Sequence, residues 1–149
     1  MANQQSYASK KTRVSNAVAA GTTDINSSSV DMANFEGVVF DVFFGTLTST
    51  AVTSIKLQQS SDDGVSDAFS DLEASSVTVA DDDDNQQAVA EVWRPQKRYV
   101  RCVVDRGTAN AVVDAIGATQ YQPRVLPTTD DASTIVGRVV LTSPDEGTA

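Results

Sequence analysis

Two stretches, residues 54–61 (Ser-Ile-Lys-Leu-Gln-Gln-Ser-Ser) and 97–104 (Lys-Arg-Tyr-Val-Arg-Cys-Val-Val), change face at every step. A period of two belongs to an extended strand with one dry face, because successive side chains point to opposite sides. Ile55 and Leu57 then share one face, with Lys56 and Gln58 opposite. Val100, Cys102 and Val104 form the core row of the second strand, and Tyr99, Arg101 and Val103 its outer row. Strands that are dry on one side need a second sheet to cover that side. The expectation is therefore an all-β chain: a single β-sandwich, jelly-roll or Ig-like, that presents strand faces and loops to a partner.

Other segments fit this plan. Residues 37–44 (Gly-Val-Val-Phe-Asp-Val-Phe-Phe) are the most hydrophobic run and are closed by Gly45. Their β-branched and aromatic content predicts a central strand, buried on both faces over part of its length. Short strands are expected at 24–30 and 76–79, and a longer one at 87–92 that Pro95 ends by lacking a ladder donor. Residues 109–120 read as a further strand. Asp62-Asp63-Gly64 has the chemistry of a turn, and Ala68, Phe69 and Leu72 are placed against the sandwich edge. Asp81 to Asp84 form a loop, since four adjacent like charges repel one another.

The ends read differently. Residues 1–22 are small and polar around Lys10, Lys11 and Arg13, and are expected to be an N-terminal arm. The sandwich domain is placed at 23–142. Within it Pro123 and Pro127 interrupt 121–142, leaving 134–142 as its one strand-like piece. That stretch either completes the sandwich or lies extended on a neighbour, and 143–149 is a tail.

Composition narrows the chemistry. A net charge of −9 and a pI near 4.2 oppose general nucleic-acid binding, which needs surplus Lys and Arg. There is no histidine, hence no His general base, His zinc ligand or Ser-His pair. The single cysteine, Cys102, has no internal disulfide partner and reads as a small buried hydrophobe. No run is long and apolar enough for a membrane span, and residues 18–20 are too few for a signal-peptide core. The clusters Asp62, Asp63, Asp67 and Asp81 to Asp84 lack the spaced acid pattern of a calcium loop and read as solvated turns. Neither a glycosidase carboxylate pair nor a serine nucleophile with a base is legible. A non-enzyme without metal or cofactor is expected. Arg94, Lys97, Arg98, Arg101 and Arg106 are the basic concentration of the body. They either balance nearby acids or form a contact patch for an acidic neighbour, such as the Asp-rich loop of another copy.

The order of the hydrophobic strand, Ile55 to Gly64, Phe69-Ser-Asp-Leu72, the acidic loop and Arg98 to Val103 resembles the capsid decoration, or cement, proteins of tailed phages. The likeness spans about residues 35–122. It implies a virion structural protein on the capsid exterior, made in the host cytoplasm and without catalytic residues. Its partner would be the major capsid protein, with neither nucleic acid nor membrane bound. It would stabilise the shell by bridging capsid subunits, as a homo-oligomer with a trimer favoured and with arms lying over neighbours. The contact residues expected are Lys10, Lys11 and Arg13 in the arm and Trp93, Arg94 and Arg101 in the body. The same rhythm also resembles discoidin-type carbohydrate-binding sandwiches, although their flanking cysteines are missing. This leaves a sugar-binding module using Trp93, Tyr99 or Tyr121, or a head-tail or tail component, as alternatives.

Overall fold

A computed structural model describes residues 5–148. A 3-10 turn at Gln5–Ala8 leads into strands β1 (Ser9–Ser15), β2 (Val18–Gly21), β3 (Ile25–Asn26), β4 (Val30–Asp31), β5 (Phe35–Leu47) and β6 (Thr53–Ser60). They are followed by β7 (Ser70–Asp71), β8 (Val77–Val79), β9 (Gln87–Trp93), β10 (Tyr99–Arg106) and β11 (Ala111–Pro123). All described pairings are antiparallel. One sheet runs β1-β11-β5-β9, with β2 continuing β1 along β11. The other runs β3-β10-β6-β7, with β4 beside β3 on β10 and β8 beside β7 on β6. The chain changes sheet between β5 and β6, and again on each step from β8 to β11. That alternation is the two-sheet jelly roll.

The dry faces meet where the alternation places them. Val38, Phe40, Val42 and Phe44 of β5 oppose Ile55 and Leu57 of β6 and Val100, Cys102 and Val104 of β10. Ile116, Ala118 and Val113 of β11 complete the core. Each large side chain buried this way stabilises the fold by about 1.5–3 kcal/mol. The opposite face of β5 is less covered than expected, since Phe43 is 42% exposed. Position Gly37 sits directly opposite Tyr121 and under its ring, where a Cβ would collide with the phenol. The Asp62-Asp63-Gly64 turn forms as expected, with Asp63 and Gly64 both at positive φ.

Two expectations about the ends are corrected. Residues 9–21, assigned to an arm, are strands β1 and β2 on β11. Their polarity misleads because β1 is an edge strand whose outward side is covered by hydrogen-bonding groups instead of apolar ones. Residues 134–142, expected as a strand, form none. From Arg124 to Thr148 the chain has neither helix nor strand. The expectations for residues 1–4 and 149 lie outside the described residues.

Arg106 is a further correction. Expected with the other basic residues of the body either to balance nearby acids or to form a contact patch, it is buried and bonded to backbone carbonyls. Its Nε donates to the Thr23 carbonyl at 2.7 Å, and its Nη1 donates to the carbonyls of Ala19 and Ala111 at 2.8 and 2.9 Å. These bonds tie β2 and the following loop to the start of β11.

Candidate interaction surface

The sheet built around β5 has two outer edges, and they differ. Along β1 the segment 128–134 supplies partners for the outward backbone. The Lys11 N–H donates to Asp130 Oδ1 at 2.7 Å and the Arg13 N–H to Thr134 Oγ1 at 3.1 Å. Thr128 and Asp131 donate their N–H groups back to the carbonyls of Tyr7 and Lys11. Arg138 closes the cover by pairing with Asp130 and donating to the Ser6 carbonyl.

At β9 the ladder ends. The Phe44 N–H donates to the Gln86 carbonyl and the Arg94 N–H to the Glu36 carbonyl, at 3.0 and 2.6 Å. In this register the even-numbered residues of β9 exchange bonds with β5, so Gln87, Val89, Glu91 and Trp93 direct N–H and C=O outward. Among the described residues none of these groups has a partner. The edge contains no Pro and no Lys, and Val89 and Trp93 on it are 50% and 56% exposed.

Beyond the end of β9 lies a cleft of about 420 Å³, lined by Met32, Phe35, Glu36, Arg94, Lys97 and Arg124 among others. The ladder partners β5 and β9 bring Glu36 and Arg94 together there, and β11 delivers Arg124. Arg94 pairs with Glu36 at 3.0 Å, and Arg124 approaches the other Glu36 oxygen at 3.8 Å. Arg98 makes a forked bond to Asp31, which holds that carboxyl below its ordinary range and raises the guanidinium. Lys97 binds Asp67, whose carboxyl, also bonded by the amide and hydroxyl of Ser61, falls to about 2. The result is a polar cleft rimmed by four cations on an acidic protein.

The six expected contact residues do not form one patch. Lys10, Lys11 and Arg13 lie on β1, where the last two have their backbone covered by the C-terminal segment. Trp93 and Arg94 sit together at the far edge, with the guanidinium 4.4 Å from the indole centroid. Arg101 is on the outer face of the other sheet, stacked 4.2 Å from the Phe69 ring and bonded to Gln58. Of the three aromatics considered for sugar stacking, Trp93 and Tyr99 carry arginines over their rings. Tyr121 lies over Gly37, and its hydroxyl donates to Glu91. Burial, with that bond, pushes the Tyr121 phenol up to about 12. Glu36, Arg124 and the open edge were not singled out from sequence. The lack of Pro and Lys within 87–92 was the available signal for the edge.

The acidic clusters act as turn caps. Asp62 accepts from the amides of Val65, Ser66 and Asp67. Asp81, Asp83 and Asp84 accept from the amides of Thr50, Ala80 and Leu47 respectively. Their oxygens therefore diverge instead of converging, and no group of three metal-ligating side chains occurs among the described residues. Burial raises the Cys102 thiol to about 12, which keeps it protonated and unreactive. No helix among the described residues is long and apolar enough to cross a membrane.

Comparison with known proteins adds the following. No family model matches the chain, and no curated protein matches it. Among solved structures it is similar to a Bacillus endospore appendage described as a disulfide-linked pilus, at 14% identity and a TM-score of 0.46, covering 81% of this chain and 92% of that one. A xylan-binding domain from Paenibacillus barcinonensis aligns at 9% identity and a TM-score of 0.43, covering 76% of this chain and 86% of that one. The VP2 subviral particle of infectious bursal disease virus aligns at 9% identity and a TM-score of 0.23, covering 78% of this chain and 40% of that one.

Proposed function

We propose that this chain is a non-enzymatic virion structural protein, which binds the outer surface of a phage capsid and stabilises the shell by bridging its subunits. The observation that carries this reading is the segment after Arg138. Val139, Val140 and Leu141 are exposed, follow an exposed Val136, and have no backbone bond to the rest of the chain among the described residues. Apolar side chains held away from their own core suit an arm that is buried on another protein. A body with an arm grips two surfaces at once, and the second contact becomes intramolecular once the first has formed. The jelly-roll body, with its Asp-rich clusters used in turns and its cation-rimmed cleft open, supplies the first contact.

The test uses purified particles. The chain should be present in stoichiometric amount, leave under mild denaturant as a discrete species, and its loss should lower the temperature at which packaged DNA escapes. A chain found in infected cells but absent from particles would end this reading.

A further inference from the structure

We infer that the C-terminal segment of one copy adds as a strand to the open β9 edge of a second copy, with its terminal acids reaching the cation-rimmed cleft. The inference names a partner for the same arm that the proposed function rests on, but it concerns contacts between copies and not with a capsid.

The acceptor is defined by its backbone. Gln87, Val89, Glu91 and Trp93 offer a row of outward N–H and C=O groups on an edge without Pro or Lys. Such an edge is a template for another strand. The donor is defined by its sequence. Val139, Val140, Leu141 and Thr142 are good strand formers, Pro144 stops the strand, and Asp145 and Glu146 follow.

Charge selects the direction. Running parallel to β9, Val139 starts beside Gln87. At about 3.3 Å per residue the six steps to Asp145 cover about 20 Å, the same span as Gln87 to Trp93. Asp145 and Glu146 then arrive where Arg94, Lys97, Arg98 and Arg124 already face the carboxylates of Glu36, Asp67 and Asp31, four cations to three acids, so a positive charge is left to receive them. Running antiparallel, they would meet Asp81 to Asp84 just before β9. The parallel ladder is slightly weaker per residue, but the antiparallel one sets like charges together.

Geometry selects a second copy. The segment leaves from the β1 edge, where Arg138 is anchored, and β9 lies three strands away at the opposite edge. Crossing its own sheet takes about 14 Å and lining β9 a further 20 Å or so. Residues 139–148 reach about 33 Å fully extended, which leaves nothing for a turn. A donor on one edge and an acceptor on the other give a head-to-tail contact, which closes as a ring or continues as a filament.

The experiment uses purified protein without capsids. The full chain is compared by analytical ultracentrifugation with a variant lacking residues 139–149 and with Val89→Pro. The Val89 N–H points outward, so proline there leaves the β5 ladder intact. Each variant should lose association at least ten-fold. Mixed, they should form a 1:1 heterodimer, because one retains the acceptor and the other the donor. The pair Gln87→Lys, Val89→Lys blocks the edge by charge and replaces the proline variant if that one does not fold. Asp145→Lys with Glu146→Lys should weaken association several-fold at low salt and little at high salt. A monomeric full chain, variants that associate like the parent, or a mixture that stays unassociated overturns strand donation. An unchanged affinity in the Asp145→Lys, Glu146→Lys variant overturns the parallel orientation. A monomer that is nevertheless present on virions would sink strand donation alone. An associating chain absent from virions would sink the capsid reading alone.

Discussion

The β1 and β9 edges belong to one sheet and solve the same problem in opposite ways. An edge strand must do something with a row of unpaired donors and acceptors. Polar β1 is capped within the chain, by Asp130, Thr134 and the carbonyl-seeking N–H groups of Thr128 and Asp131. At apolar β9 nothing from the described chain is placed against the outward groups. The difference teaches that a capped edge contributes to the stability of one molecule, whereas an open edge contributes only when a partner arrives.

Perturbations can be ranked by how they bear on that contrast. Phe40→Ala empties the core beneath β5, which lies between the two edges, and should cost about 3–5 kcal/mol with both edges lost in one urea transition. Two separated transitions would show that the edges are uncoupled. Arg106→Met strands the carbonyls of Thr23, Ala19 and Ala111 and should cost about 2–4 kcal/mol, freeing β2 from the capped side. Asp130→Ala removes the acceptor of the Lys11 N–H and leaves Arg138 largely buried and unpaired. A loss of about 2 kcal/mol is expected, with faster hydrogen exchange at Lys11 and unchanged exchange along β9.

Acid should act on the capped edge as well. The Asp131 carboxyl is held below its ordinary value by the Ser133 hydroxyl and amide, next to the turn that presents Thr134 to Arg13. Because the folded value is depressed, its stabilisation is complete above the usual carboxylate range and fades as pH falls through the lowered value. The protection factor of the Arg13 amide, measured against intrinsic exchange at each pH, should therefore fall below about pH 4, and a constant factor would detach Asp131 from the cap. The smallest effect belongs to the open edge: Val89→Thr should change monomer stability by less than about 0.5 kcal/mol in urea. A larger cost would mean that β9 is covered within one molecule.

Most of the sandwich was legible in the sequence. The alternation in 54–60 and 99–104 identified the core rows, and Asp63-Gly64 marked its own turn, because period and positive φ are local properties. Strand β1 was not legible. Its Ser-Lys-Lys-Thr-Arg run shows no apolar row, and its cover comes from residues about 120 positions later. The opposite error arose at 134–142, where strand-forming residues lack a ladder within the chain. Contact residues were recoverable one at a time but not as a patch. Proximity of Arg94, Glu36 and Arg124 depends on strand register, which composition does not encode.

Register also has a kinetic consequence. Ser9 pairs with Tyr121 and Arg13 with Gly117, so β1 finds its neighbour only when β11 has been synthesised. Until then β11 cannot join β1 to β5, and the nascent chain emerges from the ribosome with its sheet unclosed. Pairings so distant along the chain slow folding. Closure of this sheet should thus be a late step of folding, with the β1 side of β11 unpaired until then.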